Sequence, residues 1–150
     1  MIFKPKNKKE LLKIIKEEIK RQGPNVDLNH IDVSDIKDMS FLFYYSDFNG
    51  NISNWDISNV ENMESMFAFS DFNGDISQWD VSKVENMKEM FYNSKFMGNI
   101  SNWDVSNVKN MDYMFAISSF NRDISKWNLK SLKRMKGMFS NSDFNGDISK

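Results

Sequence analysis

Residues 51–74 read NISNWDISNVENMESMFAFSDFNG and residues 75–98 read DISQWDVSKVENMKEMFYNSKFMG. The same phrase returns every 24 residues. Trp55, Trp79, Trp103 and Trp127 mark the step, and Met63, Met87, Met111 and Met135 keep it. Phe67, Phe91, Phe115 and Phe139 form a third series, and Phe48, Phe72, Phe96, Phe120 and Phe144 a fourth. A fixed period of roughly 20–50 residues is the mark of a repeat architecture, in which each unit buries its apolar face only against the next. The repeated Trp, Met and Phe positions are therefore expected to fill the core, and no cofactor is needed to explain them.

Within a unit the apolar positions run I-x-x-W-x-V-x-x-V-x-x-M. The first part has the spacing of a leucine-rich-repeat strand. Alternation would place Trp55 and Ile57 inward and Asn54, Asp56 and Ser58 outward. Val60, Met63 and Phe67 follow at helical spacing, so a short helical turn is expected there, with Ser58/Glu61 and Ser82/Glu85 as capping boxes. Asn49-Gly50, Asn73-Gly74 and Asn145-Gly146 read as turns in which glycine takes a positive φ. Arg122 departs from that rule, so the fourth turn is expected to be different or strained. The first unit is degenerate: Leu28, Ile31, Val33, Ile36 and Met39 stand for Ile52, Trp55, Ile57, Val60 and Met63. Units 51–74, 75–98 and 99–122 follow closely, 123–146 departs more, and 147–150 begins another.

Residues 8–22 carry Leu11, Leu12, Ile14, Ile15 and Ile19 at helical spacing, with Asn7 as N-cap and Gly23-Pro24 as the stop. The expected role is a lid over the first unit. A basic membrane-surface helix is the alternative. The expectation is one domain over residues 1–150, with 1–26 as capping helix and 27–150 as repeats. Its class would be an α/β leucine-rich-repeat-like right-handed solenoid of about five 24-residue coils, with a parallel sheet and short helical turns.

Composition narrows function. The net charge is −1, which argues against bulk attraction to nucleic acid or anionic membrane. The distribution is uneven: residues 1–26 sum to +5, residues 27–72 to −8 and residues 73–150 to +2. There is no cysteine, hence no disulfide, thiolate nucleophile or Cys-based zinc site. The N-terminal MIFKPKNKKELLKIIKEEIKRQG lacks a signal-peptide core, and no stretch approaches a membrane span. A cytoplasmic protein is expected, or a surface protein if a leader had been removed.

The combination F-N-G-D-I-S-x-W-D-V-S-x-V-x-N-M-x-x-M-F resembles the repeat of the BspA-like bacterial surface proteins, which also occurs in mycoplasma and listerial lipoproteins. The resemblance covers residues 27–150. It implies a leucine-rich-repeat-like solenoid and, often, a surface protein that contacts host or matrix proteins.

Catalytic candidates are few. His30 is the single histidine and falls at an outward position, which reads as a surface side chain. No phosphate-binding glycine loop occurs. The Asp column (Asp32, Asp56, Asp80, Asp104) should stack at about 4.8 Å, and like charges at that spacing cost stability. Three readings stay open. Each Asp accepts local hydrogen bonds from backbone N–H groups or from the Ser two residues on. The column is a partner-binding acidic stripe. It holds calcium. A glycosidase-like carboxylate pair is disfavoured because the feature recurs in every unit.

In the fifth unit the column Asn54-Asp56, Gln78-Asp80, Asn102-Asp104 becomes Lys126, Asn128, Lys130, followed by Lys133, Arg134 and Lys136, so one face runs from acidic to basic. Two variable columns carry large apolar residues: Tyr45, Phe69, Asn93, Ile117, Asn141, and Phe41, Ser65, Glu89, Tyr113, Gly137. A neighbouring column reads Tyr44, Ala68, Tyr92, Ala116, Ser140. These form a partner patch or pack under the lid and turns.

The functional expectation is a non-enzymatic protein-binding module with no cofactor or metal, acting through the sheet face and its flanking apolar residues. Its candidate contacts are Asn54, Asp56, Gln78, Asp80, Asn102, Asp104, Lys126, Lys130, Tyr45, Phe69, Tyr92 and Ile117. A stand-alone intracellular inhibitor or scaffold, of the kind a phage or mobile element carries, is the concrete version. An adhesin-type surface repeat protein is the alternative. The partner is expected to be a protein and not a membrane. A nucleic acid would need the basic C-terminal end, and self-association the C-terminal edge.

Overall fold

The computed structural model describes residues 3–148. Among them one regular element forms, helix α1, Lys8–Gln22. Asn7 Oδ1 accepts the Glu10 N–H at 2.9 Å at its start, and Gly23, at φ 92, donates its N–H to the Ile19 carbonyl at its end. Leu11 and Ile15 are fully buried in the common core, and Leu12, Ile14 and Ile19 pack partly against it.

The repeats overturn the expected α/β solenoid with a parallel sheet. No strand or sheet forms among the described residues. Contacts between units are single-residue parallel bridges: Asp27 to Asn51, and the series Asp38, Asn62, Asn86, Asn110, Arg134. Nor do helical turns form, and Ser58 and Ser82 cap none. The physical reason lies in where the backbone hydrogen bonds go. The Trp55 N–H closes a turn on the Ile52 carbonyl, and the Val60 N–H one on the Ile57 carbonyl. The chain therefore bends where a strand would extend. Ser65 (φ 52) and Phe69 (φ 55) are left-handed, which breaks the chain where a helix would run.

This also explains the apolar spacing. Ile52 and Trp55, Ile57 and Val60, and Met63 and Met66 are first and last residues of successive four-residue turns, and all are buried. The two x positions between each pair are the turn's central residues.

Stacking of the units rests on one backbone pattern. The N–H groups of Met63, Ser65, Phe67 and Phe69 donate to the carbonyls of Asn86, Lys88, Met90 and Tyr92, each at 2.9 Å. Between them, the Met66 and Ala68 N–H groups close local turns on Met63 and Ser65. The same division recurs from residues 39–45 to the second unit, from 87–93 to the fourth and from 111–117 to the fifth. Side chains reinforce it. The indole N–H groups of Trp55, Trp79, Trp103 and Trp127 donate to the carbonyls of Leu28, Ile52, Ile76 and Ile100 in the preceding unit, at 2.9–3.1 Å.

Two phenylalanine ladders run through a core that also buries the Trp, Met, Ile and Val columns. Rings of Phe43, Phe67, Phe91, Phe115 and Phe139 stack at 5.5–5.7 Å and within 6° of parallel. Phe48, Phe72, Phe96, Phe120 and Phe144 stack beside them at 6.0–6.5 Å. Gly50, Gly74 and Gly146 do not have the expected positive φ, and neither does Gly98. Their glycine answers to space: a Cβ on Gly50 would lie 1.8 Å from the Val26 carbonyl oxygen and 2.7 Å from the Phe48 ring. Arg122 is likewise free of a left-handed backbone, and its Nε–H donates to the Met97 carbonyl at 2.8 Å.

Trp79→Phe removes one inter-unit hydrogen bond and leaves a void beside the Phe67 ring. It is expected to lower unfolding free energy by about 1–2 kcal/mol, read from the urea midpoint.

Candidate functional site

The expected site residues fall into two sets on different turns of the unit. The first set holds Asn54, Asp56, Gln78, Asp80, Asn102, Asp104, Lys126 and Lys130, all exposed. Here the local-bond reading of the Asp column accounts for the geometry. Asp56 Oδ1 accepts both the N–H and the Oγ–H of Ser58, at 3.0 and 2.6 Å. Asp32 with Ser34 and Asp104 with Ser106 repeat both bonds, and the Ser82 N–H donates to Asp80 at 3.0 Å. The carboxylates are thus engaged in Asx turns.

Hydrogen bonds from the Ser82 side chain and backbone hold the Asp80 carboxyl below its ordinary value of 3.8, against the opposing effects of burial and, after it, the Asp104 charge. Ser106 lowers Asp104 and Ser34 lowers Asp32 in the same way. In the fifth unit Asn128 takes the position, and its Oδ1 accepts the Lys130 N–H at 3.0 Å. An acceptor is required there and a charge is not.

Three further turns per unit use the same device. Asn51, Asn62 and Ser70 each accept the N–H two residues on. The Asn62 column fails only at Arg134, which has no acceptor to offer the Lys136 N–H. Asp112 in the preceding unit supplies it at 2.7 Å and also accepts Arg134 Nε–H at 2.8 Å. Burial works against the Asp112 charge, but Arg134 and the Lys136 N–H outweigh it and hold its carboxyl low.

His30 is not the free surface side chain the sequence suggested. Its Nε2 lies 2.6 Å from Oε1 of Glu18, a buried residue of α1 that also pairs with Arg21. Lys4 meets Asp32 and Asp35 at 3.8 Å, and Lys8 meets Asp38 at 3.5 Å. The basic N-terminal segment thus docks on the acidic first unit. Among the described residues no group of three His, Cys, Asp or Glu side chains gathers to hold a metal ion, and no helix is long and apolar enough to cross a membrane.

The second set is the apolar one. Tyr45 and Phe69 stack at 4.3 Å and 4°. Tyr44 meets Tyr45 edge-on at 4.7 Å, Phe69 meets Tyr92 at 5.4 Å, and Phe41 meets Tyr44 at 5.3 Å. The structure therefore joins Tyr45, Phe69 and Tyr92, adds Tyr44 and Phe41, and leaves Ile117 separate, beyond Asn93. Tyr45 is 65% exposed, and Phe41 and Ile117 are each 45% exposed. Phe41, Tyr45, Phe69 and Ile117 all sit at φ between 53 and 60.

Asp56→Asn/Asp80→Asn/Asp104→Asn is expected to keep the fold within about 1 kcal/mol of wild type, whereas Asp80→Ala alone costs about 1 kcal/mol, both by urea titration. A carboxylate whose folded pKa lies below its unfolded value stabilises the fold fully above the unfolded value. It loses that contribution as pH falls through the folded one. Asp32, Asp38, Asp75, Asp80, Asp104, Asp112 and Glu18 are all lowered. The urea midpoint is therefore expected to fall as pH drops below about 4, less steeply in the Asn triple variant.

Compared with known proteins, the chain matches the model of a family described as "Mycoplasma protein of unknown function, DUF285", over residues 13–115 and 70–150. No curated protein and no solved structure matches it. The chain belongs to this mycoplasma, BspA-like repeat family.

Proposed function

We propose that this protein is a non-enzymatic protein-binding module whose contact surface is the aromatic cluster of Phe41, Tyr44, Tyr45, Phe69 and Tyr92, with Ile117 as an outlying contact. The observation that supports this is the left-handed backbone under Phe41, Tyr45, Phe69 and Ile117, beside which Tyr44 and Tyr92 pack. A left-handed residue other than glycine or asparagine costs roughly 1–2 kcal/mol. Asn93 and Asn141 occupy the Tyr45 column, and Gly137 the Phe41 column, at φ 48–58. Cheaper residues thus serve the same turns in the same molecule. Bulky apolar side chains at strained positions, exposed at Phe41, Tyr45 and Ile117 and half-buried at Phe69, point to a role outside folding, and aromatic residues dominate binding energy at protein interfaces.

The Asp column offers less to a partner, because one oxygen of each carboxylate is engaged in a turn. The same turn recurs in each unit and His30 pairs with Glu18, which supports a structural part for these groups. Family membership supports a second version of this reading. A repeat protein displayed at a surface would use the same cluster on a host or matrix protein.

Tyr45→Asn/Phe69→Asn exchanges ring stacking for relief of two strained residues, so its stability is expected within about 1 kcal/mol of wild type. In affinity capture from host lysate and from extracellular-matrix extract, wild type and the Asn triple variant are expected to retain the same partner. The Tyr45/Phe69 variant is expected to lose it. Capture lost in the Asp-column variant but kept in the aromatic one would move the surface to the acidic column, and no capture by wild type would reject the reading.

A further inference from the structure

Beside the aromatic cluster, helix α1 and the first unit enclose a groove of about 420 Å³. Its floor is apolar, made by Leu12, Ile15, Ile19, Leu42 and the rings of Phe41 and Tyr44. Lys16 and Lys20, one helical turn apart, stand on its helix rim, and Asp47 is the single acid that lines it. Lys4 and Lys8, on the same N-terminal segment, are matched with Asp32, Asp35 and Asp38. No ion pair among the described residues engages Lys16 or Lys20.

From this charge imbalance over an apolar floor, we infer that the groove receives an acidic peptide segment of the partner protein. One or two large apolar side chains of that segment would enter between α1 and Tyr44, and its carboxylates would lie against Lys16 and Lys20. The inference rests on the protein-binding reading above and gives it a ligand class. The volume lies in the ordinary range of ligand sites, and opposite charge at the rim sets orientation and rate of encounter. A membrane surface fits less well. The apolar stripe of α1 is spent on the core, with Leu11 and Ile15 fully buried, and Leu12 and Ile19 sit half-buried in the groove, where an interfacial helix presents a protruding apolar face.

The test is selection of a phage-displayed random peptide library on the intact protein, followed by titration of a fluorescein-labelled copy of the enriched peptide. The expected peptides pair aromatic or aliphatic residues with two or more acids. Their affinity should fall at least about tenfold in Lys16→Glu/Lys20→Glu and in Tyr44→Ala, and weaken as salt is raised. The Lys16 and Lys20 side chains are exposed, so circular dichroism should be unchanged in the lysine variant.

Enriched peptides without acids, or affinity indifferent to the lysine variant, overturn the inference. Peptides lost only in Tyr45→Asn/Phe69→Asn overturn the groove and leave the protein-binding reading standing. No enriched peptide, together with failed capture by wild type, overturns both. Cosedimentation with phosphatidylserine vesicles that the lysine variant abolishes, with no peptide enriched, overturns it in favour of a membrane surface.

Discussion

Every second peptide unit between residues 62 and 69 points along the stacking direction, and the rest of the molecule follows from that. The N–H groups of residues 63, 65, 67 and 69 all reach forward to the next unit. In a β-ladder successive peptides point to opposite neighbours, so a row pointing one way needs the intervening peptides turned aside. Left-handed residues at 65 and 69 do this, and the diverted N–H groups close local turns. Buried backbone groups must be paired, and this arrangement pairs them without strand or helix. With the step held by backbone, equivalent side chains stack: phenylalanine on phenylalanine, and each indole on the carbonyl of the preceding unit.

Stacking identical side chains helps aromatic rings and harms charges. The molecule handles the second effect locally. Each column of polar residues at a turn accepts hydrogen bonds from the backbone, which favours the charged form of Asp and offsets repulsion from the neighbouring unit. Where a column changes chemistry, the compensation is visible. Asn128 preserves the acceptor without charge. Arg134, which cannot accept, is served by Asp112 one unit earlier. Among the described residues no buried side-chain polar atom is left without a partner, which is the condition for so regular a core to be stable.

The surface suggested for binding grows out of the same constraint. Positions 41, 45, 69 and 117 must be left-handed because the stacking pattern demands it, whatever residue stands there. Their side chains project from the ladder segment and are free to vary, so they are the places where a repetitive framework can carry individual character. Tyr44 and Tyr45 line the groove under α1 and Phe69 stacks on Tyr45, so the aromatic surface adjoins a recess whose two lysines enter no ion pair among the described residues.

Periodicity alone determined which residues stack on which. A 24-residue step in Trp, Met and Phe leaves no other way for each unit to cover its apolar side. The ends of α1 are written locally in Asn7 and Gly23, because capping depends on neighbours in the chain. The conformation of each unit was not legible. The spacing I-x-x-W-x-V-x-x-V is shared by a repeat strand and by consecutive four-residue turns, since both return apolar side chains to one side. Only the direction of the inter-unit hydrogen bonds decides between them. Nor could spacing show that Gly50 answers to the Val26 carbonyl, that His30 meets Glu18, or that Asp112 serves the unit after its own. The apolar columns at 45 and 69 could be read from variation between units. Their left-handed backbone, and the groove beside them, exist only once units and helix are packed, because both are properties of how one unit's peptides meet the next.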